Sequence, residues 1–167
     1  MNRRSILSIS ATSVLALALA STNAVAQLKQ QVVGTWTLVS EQTTRPDGSK
    51  FSAVGSNAKG ILMFDGSGHA SLQVMGDDRR KFASNNRREG TAEENKAASQ
   101  GGTAWFGTYS VNEADSTVTF QIVGSTFPNW DGTDQKRLIT LTGDEMNWTN
   151  PTGSGGGRVE IVWKRVK

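Results

Sequence analysis

The sequence predicts an all-β fold, an antiparallel up-and-down β-barrel of eight to nine strands with one short helix. Three observations lead there. Beyond residue 26 the apolar residues mostly recur with a period of two, which marks strands with one buried and one solvated face. Turn residues rich in Gly, Asp and Asn separate those runs at short intervals. One stretch alone, Phe82–Gly102, is polar and lacks the alternation. Consecutive hairpins with hardly any helix between them build either a barrel or a sandwich, and the barrel is the favoured of the two.

The chain opens on a targeting pattern. Arg3 and Arg4 form a positive region, Ile6–Ala20 a moderately apolar run, and Ala24-Val25-Ala26 a small-x-small cleavage site, so residues 1–26 read as a signal peptide and 27–167 as the domain. The apolar run is broken by Ser8, Ser10, Thr12 and Ser13 and falls short of the roughly 20 apolar residues a spanning helix needs. Arg3-Arg4 followed by Ser5-Ile6-Leu7 also resembles a twin-arginine signal, and a Sec signal fits equally. Either route places the domain in the periplasm or outside the cell, without a stable membrane anchor after cleavage.

The first strand alternates Trp36 and Leu38 with Thr35 and Thr37, and a weak strand follows around Lys50–Val54. Asp65-Gly66-Ser67-Gly68 separates Ile61–Phe64 from Ala70–Met75 as a tight hairpin. Within Phe82–Gly102, Thr91-Ala92-Glu93-Glu94 has the Thr-x-x-Glu form of a capping box, and Gly101-Gly102 can stop the helix it starts. Trp105, Tyr109 and Val111 then share one face of a strand, and Asn112–Ser116 turns into a second strand whose inward set is Val118, Phe120 and Ile122. Thr142–Glu145 joins Arg137–Leu141 to Met146–Thr149, and Val159, Ile161 and Trp163 alternate with Arg158, Glu160, Val162 and Lys164 in the last strand.

Composition narrows the chemistry. Lys and Arg total 18 against 15 Asp and Glu, and without Arg3 and Arg4 the balance falls from +3 to +1. A near-neutral domain gives no reason to expect nucleic acid as a partner. There is no cysteine, which excludes thiolate zinc sites, thiol nucleophiles and iron–sulfur clusters. His69, the sole histidine, follows the hairpin glycine Gly68, so a Ser-His-Asp triad would have to be built at a turn. Asp65, Asp77, Asp78 and Asp131 show no EF-hand spacing, and neither metal nor cofactor is expected. Gly153-Ser154-Gly155-Gly156-Gly157 lacks the Lys-Ser/Thr of a phosphate loop. Arg79-Arg80-Lys81 and Arg87-Arg88 are flanked by Asp77, Asp78 and Glu89 and read as a solvated loop.

Four segments together resemble the bacterial and fungal lipocalin-like domain family. Gly34-Thr35-Trp36 resembles the Gly-x-Trp element that opens lipocalins, and Trp163-Lys164-Arg165 is similar to a closing strand that brings an arginine over that tryptophan. Trp105-Phe106-Gly107-Thr108-Tyr109 and the long segment from Phe127 to Arg137 resemble the family's central part. The resemblance covers Val33 to Arg165 and implies an antiparallel barrel with a central cavity. The resemblance extends to some fungal relatives associated with cyclisation of small natural products. Members often carry a histidine on the strand that here reads Val118-Thr119-Phe120-Gln121-Ile122, so chemistry resting on that histidine is not carried over.

The function expected is binding of a small apolar or amphipathic molecule in the barrel, lined by Leu38, Met63, Leu72, Trp105, Tyr109, Phe120, Ile122 and Trp148. Arg137 is a candidate polar anchor, with a surface or structural arginine as the other reading. Gly34, Trp36 and Arg165 are assigned structural roles. The rings on these strands can line a cavity or fill the core. A cavity cyclase or isomerase using Tyr109, Arg137 or a carboxylate, and a structural domain with a filled barrel, are the alternatives. Closure of a barrel returns the last strand to the first, so Arg165 is expected to stack on Trp36 at a plugged end opposite the ligand mouth, with Arg158 and Lys164 as rivals.

Overall fold

Residues 27–167 are described by a computed structural model; the segment read as a signal peptide lies outside them. A short helix α1 (Gln27–Val32) leads into β1 (Gly34–Thr44), followed by β2 (Lys50–Phe51), β3 (Lys59–Phe64) and β4 (His69–Met75). Helix α2 (Ala92–Gln100) precedes β5 (Gly102–Asn112) and β6 (Thr117–Ser125). A 3-10 turn, Pro128–Trp130, precedes β7 (Asp134–Thr142), β8 (Glu145–Asn150) and β9 (Arg158–Arg165).

Each strand from β3 to β9 pairs antiparallel with the next, and β9 returns to β1, with Trp36 opposite Arg165 and Thr44 opposite Arg158. Eight strands therefore form a closed barrel, which removes both sheet edges. The two-residue β2 lies outside this ring. It pairs with Thr43 and Thr44 on the edge of β1 whose first residues, Gly34–Thr37, pair with β3. Among the described residues that edge of β1 has no strand partner between these two contacts, and Ser52 and Ala53 hydrogen-bond to Glu41 there.

The alternation read from sequence sets the phase of most strands. On β4, Ala70, Leu72 and Val74 are buried; on β6, Phe120 and Ile122 are. Two bulges adjust it: the β1–β9 register shifts between Leu38 and Ser40, and the β5–β6 register between Phe106 and Gly107. The second needs a glycine, because a Cβ on Gly107 would lie 2.0 Å from the Gln121 carbonyl oxygen.

The capping box at α2 is formed: Thr91 Oγ1 accepts from the Glu94 N–H at 3.2 Å, and Glu94 accepts from the Thr91 N–H at 2.9 Å. Helix α1 had no such signature. Six residues form no stable helix alone; this one is held by buried Val32 and by Glu113, whose carboxylate accepts the N–H groups of Leu28 and Lys29 at 3.1 and 2.8 Å.

The barrel has two unlike ends. At one lie α1, the start of β1, the end of β9 and the tight hairpins β3–β4, β5–β6 and β7–β8. At the other lie the β1–β2 turn, residues 76–101 with α2, the 3-10 turn and the glycine-rich turn before β9. Trp36, Leu62, Met146 and Trp163 are fully buried. Phe64 meets Tyr109 edge-on at 5.0 Å and Phe120 at 5.7 Å, so rings occupy the interior toward the hairpin end.

Candidate functional site

At the end opposite those hairpins the interior is hollow. A cavity of about 270 Å³ opens there, at the small end of ligand pockets, which run from about 300 to 1,000 Å³. Three indoles line it: Trp105 from β5, Trp148 from β8 and Trp130 from the 3-10 turn. Leu38 and Glu41 of β1, with Phe51 and Val54 beyond them, line the side where β1 lacks a strand partner. The glycine-rich turn from Gly153 to Gly156 contributes to the rim.

Five of the residues expected to line the pocket do so: Leu38, Leu72, Trp105, Arg137 and Trp148. Tyr109, Phe120 and Ile122 are buried but belong to the filled part of the core. Phe120 backs the cavity wall, stacked on Trp148 at 5.2 Å and tilted against Trp105 at 4.8 Å. Tyr109 donates its hydroxyl to the Asp65 carbonyl at 2.8 Å near the hairpin end. Its burial, then the nearby Asp65 charge, hold its pKa above the usual value. Met63 is a correction: it is 38% exposed on the outer face, because Leu62 and Phe64 take the inward phase of β3.

Trp130, absent from the expected lining, sits in a turn where strand periodicity gives no signal. Its neighbour Phe127 meets it edge-on at 5.6 Å. Glu41 was hidden for a related reason: the bulge after Leu38 resets the phase of β1. Its carboxylate accepts hydrogen bonds from the Thr43 hydroxyl (2.7 Å), the Ser52 hydroxyl (2.8 Å) and the Ala53 N–H (2.8 Å).

Arg137 points inward. It is 6% exposed, in phase with buried Ile139, while Leu138 between them is 46% exposed on the outside. Its Nη1 donates to the Lys136 carbonyl at 2.8 Å and its Nη2 to Gln135 Oε1 at 3.2 Å, while Nε has no partner among the described residues. The guanidinium lies over Trp148, 5.5 Å from the ring centroid. Burial pulls its pKa down to about 10, so it remains a cation at neutral pH.

His69 forms no triad. Ser67 Oγ and Asp65 Oδ2 both approach the same ring nitrogen, Nδ1, at 3.0 and 3.2 Å. A nucleophile and an orienting acid need opposite nitrogens, and this group is exposed on the β3–β4 hairpin.

The lipocalin-like domain family matches residues 33–166. The chain belongs to that lipocalin-like domain family. No match is found among curated proteins. Among solved structures, two mutants of the fluorescent protein UnaG are similar at 11% and 12% identity, with TM-scores of 0.39 and 0.38. They cover 82% and 83% of this chain and 97% and 98% of their own. In this lipocalin-like domain the Gly-x-Trp element has a visible role. Gly34 has φ +130°, and a Cβ there would lie 3.0 Å from Arg165 Nη1, so glycine lets the closing arginine reach β1.

Proposed function

We propose that this lipocalin-like protein is exported and binds a small apolar or amphipathic molecule in the barrel cavity without transforming it. The observation that carries the reading is the division of the interior. One part is packed with rings; the other is an open hollow whose wall is built by Trp105, Trp130 and Trp148. An apolar, aromatic-lined concavity with few polar groups is the usual form of a small-molecule site. The filled-barrel reading loses its ground to that hollow. The cyclase or isomerase reading loses Tyr109, whose hydroxyl is bonded to Asp65 away from the cavity, and keeps Arg137 and Glu41 in the lining, with the Glu41 carboxylate already held by three donors.

Export rests on Arg3-Arg4, the Ile6–Ala20 run and Ala24-Val25-Ala26. N-terminal sequencing of protein recovered from the periplasm or medium would begin at Gln27, and an intact Arg3-Arg4 terminus would refute the export reading. Native mass spectrometry of the same material tests binding. A bound small molecule is expected on the wild-type protein and absent from Ile161→Trp, which fills the cavity from β9. Equal adducts on both would place the ligand elsewhere.

A further inference from the structure

We propose that the cavity recognises an amphipathic carboxylate, with the anionic head on Arg137 and the apolar body against the tryptophan wall. This rests on the cavity-binding reading and names its ligand class. A guanidinium carries five N–H donors. Nη1 and Nη2 of Arg137 each make one bond, both to neutral oxygens of Lys136 and Gln135, and Nε makes none among the described residues. Among the described residues no carboxylate lies within ion-pair distance of Arg137.

Buried charges in proteins are ordinarily paired. Of the acids among the described residues, Glu41 alone lines the cavity, and three protein donors already occupy its carboxylate. Arg137 therefore presents a fixed, uncompensated positive charge beside an apolar hollow. A carboxylate matches the fork of a guanidinium with two parallel bonds. Trp148, under the guanidinium at 5.5 Å, keeps the cation in place before any ligand arrives. The volume of about 270 Å³ suits a medium-chain or single fused-ring acid.

Two acids, decanoate and 1-naphthoate, and their uncharged counterparts, 1-decanol and 1-naphthalenemethanol, would be titrated by calorimetry into the wild type, Arg137→Met and Arg137→Lys. The wild type is expected to bind at least one acid about tenfold or more tighter than its alcohol, the scale of a charge-assisted hydrogen bond. Arg137→Met is expected to lose that preference while keeping the alcohol affinity, and Arg137→Lys to keep part of it. Alcohols that match or exceed their acids on the wild type would overturn the carboxylate proposal and leave the cavity reading standing. No binding of any of the four would overturn both. The wild-type comparison needs no variant to fold.

Discussion

The Arg165 guanidinium lies over the indole of Trp36, 4.2 Å from the ring centroid, and joins the first barrel strand to the last. Arg165 Nη1 also donates to the Val33 carbonyl at 2.8 Å and Nη2 to that of Gln31, while Trp36 Nε1 donates to the Val32 carbonyl at 2.8 Å. The pair thus satisfies carbonyls where α1 runs into β1 and seals the hairpin end. Its rivals do not share the role. Arg158 lies at the far end of β9, paired with Glu160 at 2.9 Å, and Lys164 faces solvent.

A double-mutant cycle measures the pair. Trp36→Ala is expected to cost about 3–5 kcal/mol, as for a large buried aromatic. Arg165→Ala costs less, and the coupling between them should fall near 0.5–2 kcal/mol. Urea melts of the wild type, both single variants and the double variant give that number. A coupling of zero would mean that Arg165 acts through the Gln31 and Val33 carbonyls and Asp144 rather than through the indole.

The sequence showed the strands well because their signal is local. Val118, Phe120 and Ile122 alternate with polar neighbours, and a two-residue period needs no knowledge of the partner strand. Closure was legible for a topological reason, since a barrel has to bring β9 beside β1. The site was legible only in part. Trp148 and Leu72 follow from phase, whereas Met63 failed because Ile61–Phe64 is apolar throughout, so alternation could not choose between its faces. Trp130 stands in a turn and Glu41 behind a bulge, where no period applies. Which rings fill the barrel and which line it depends on long-range packing: Phe120 and Trp148 stack, yet only Trp148 borders the hollow.

The β3–β4 hairpin is expected to respond to acid through Asp65. The His69 backbone N–H, donated at 2.7 Å, and then the Ser67 hydroxyl at 2.9 Å pull the Asp65 carboxyl down to about 2. A carboxylate whose folded pKa is depressed contributes stability above its ordinary value near 3.8, and that contribution is lost as pH falls toward 2. Asp65→Asn should therefore be less stable than the wild type at pH 6, with the gap closing between pH 4 and pH 2 in denaturant melts. His69→Ala, which keeps the backbone N–H, should retain most of the effect and leave ligand binding intact. A loss of binding in His69→Ala would show that the hairpin communicates with the cavity.

Glu41 is expected to act as a latch for the segment that runs beside the unpartnered edge of β1. Its carboxylate holds Ser52 and Ala53, and Asp77 holds the next residues by accepting the Asn57 N–H at 2.8 Å. Ala53 and Val54 border the cavity, so the strap they belong to forms part of its wall. Removing an acceptor from backbone N–H groups frees the segment locally without unfolding the barrel. Glu41→Ala should speed hydrogen exchange at Ala53 and neighbouring amides by at least tenfold while exchange at Leu72 and Phe120 stays slow. Uniformly faster exchange would mean that Glu41 supports the whole barrel.

Arg137 gives the expectation with the least intuitive sign: its removal should stabilise the ligand-free protein. Burial lowers its pKa from the ordinary guanidinium value to about 10, so the charged form carries a cost in the folded state at neutral pH. A base whose folded pKa is depressed imposes that cost in full below the folded value. The cost fades as pH rises from about 10 toward the unfolded value, where both states lose the proton. Methionine keeps much of the aliphatic stem's packing and brings no charge, although the bonds to Lys136 and Gln135 are lost. Replacing a buried charge by a well-packed apolar side chain is commonly neutral or stabilising by about 1–4 kcal/mol. Urea melts at pH 7 should place Arg137→Met above the wild type by about 1–3 kcal/mol, with the difference smaller at pH 10.5. A variant that is instead destabilised at both pH values would assign Arg137 to the scaffold. A stabilised variant that has lost its acid preference would show a residue kept for the ligand at the expense of the empty fold.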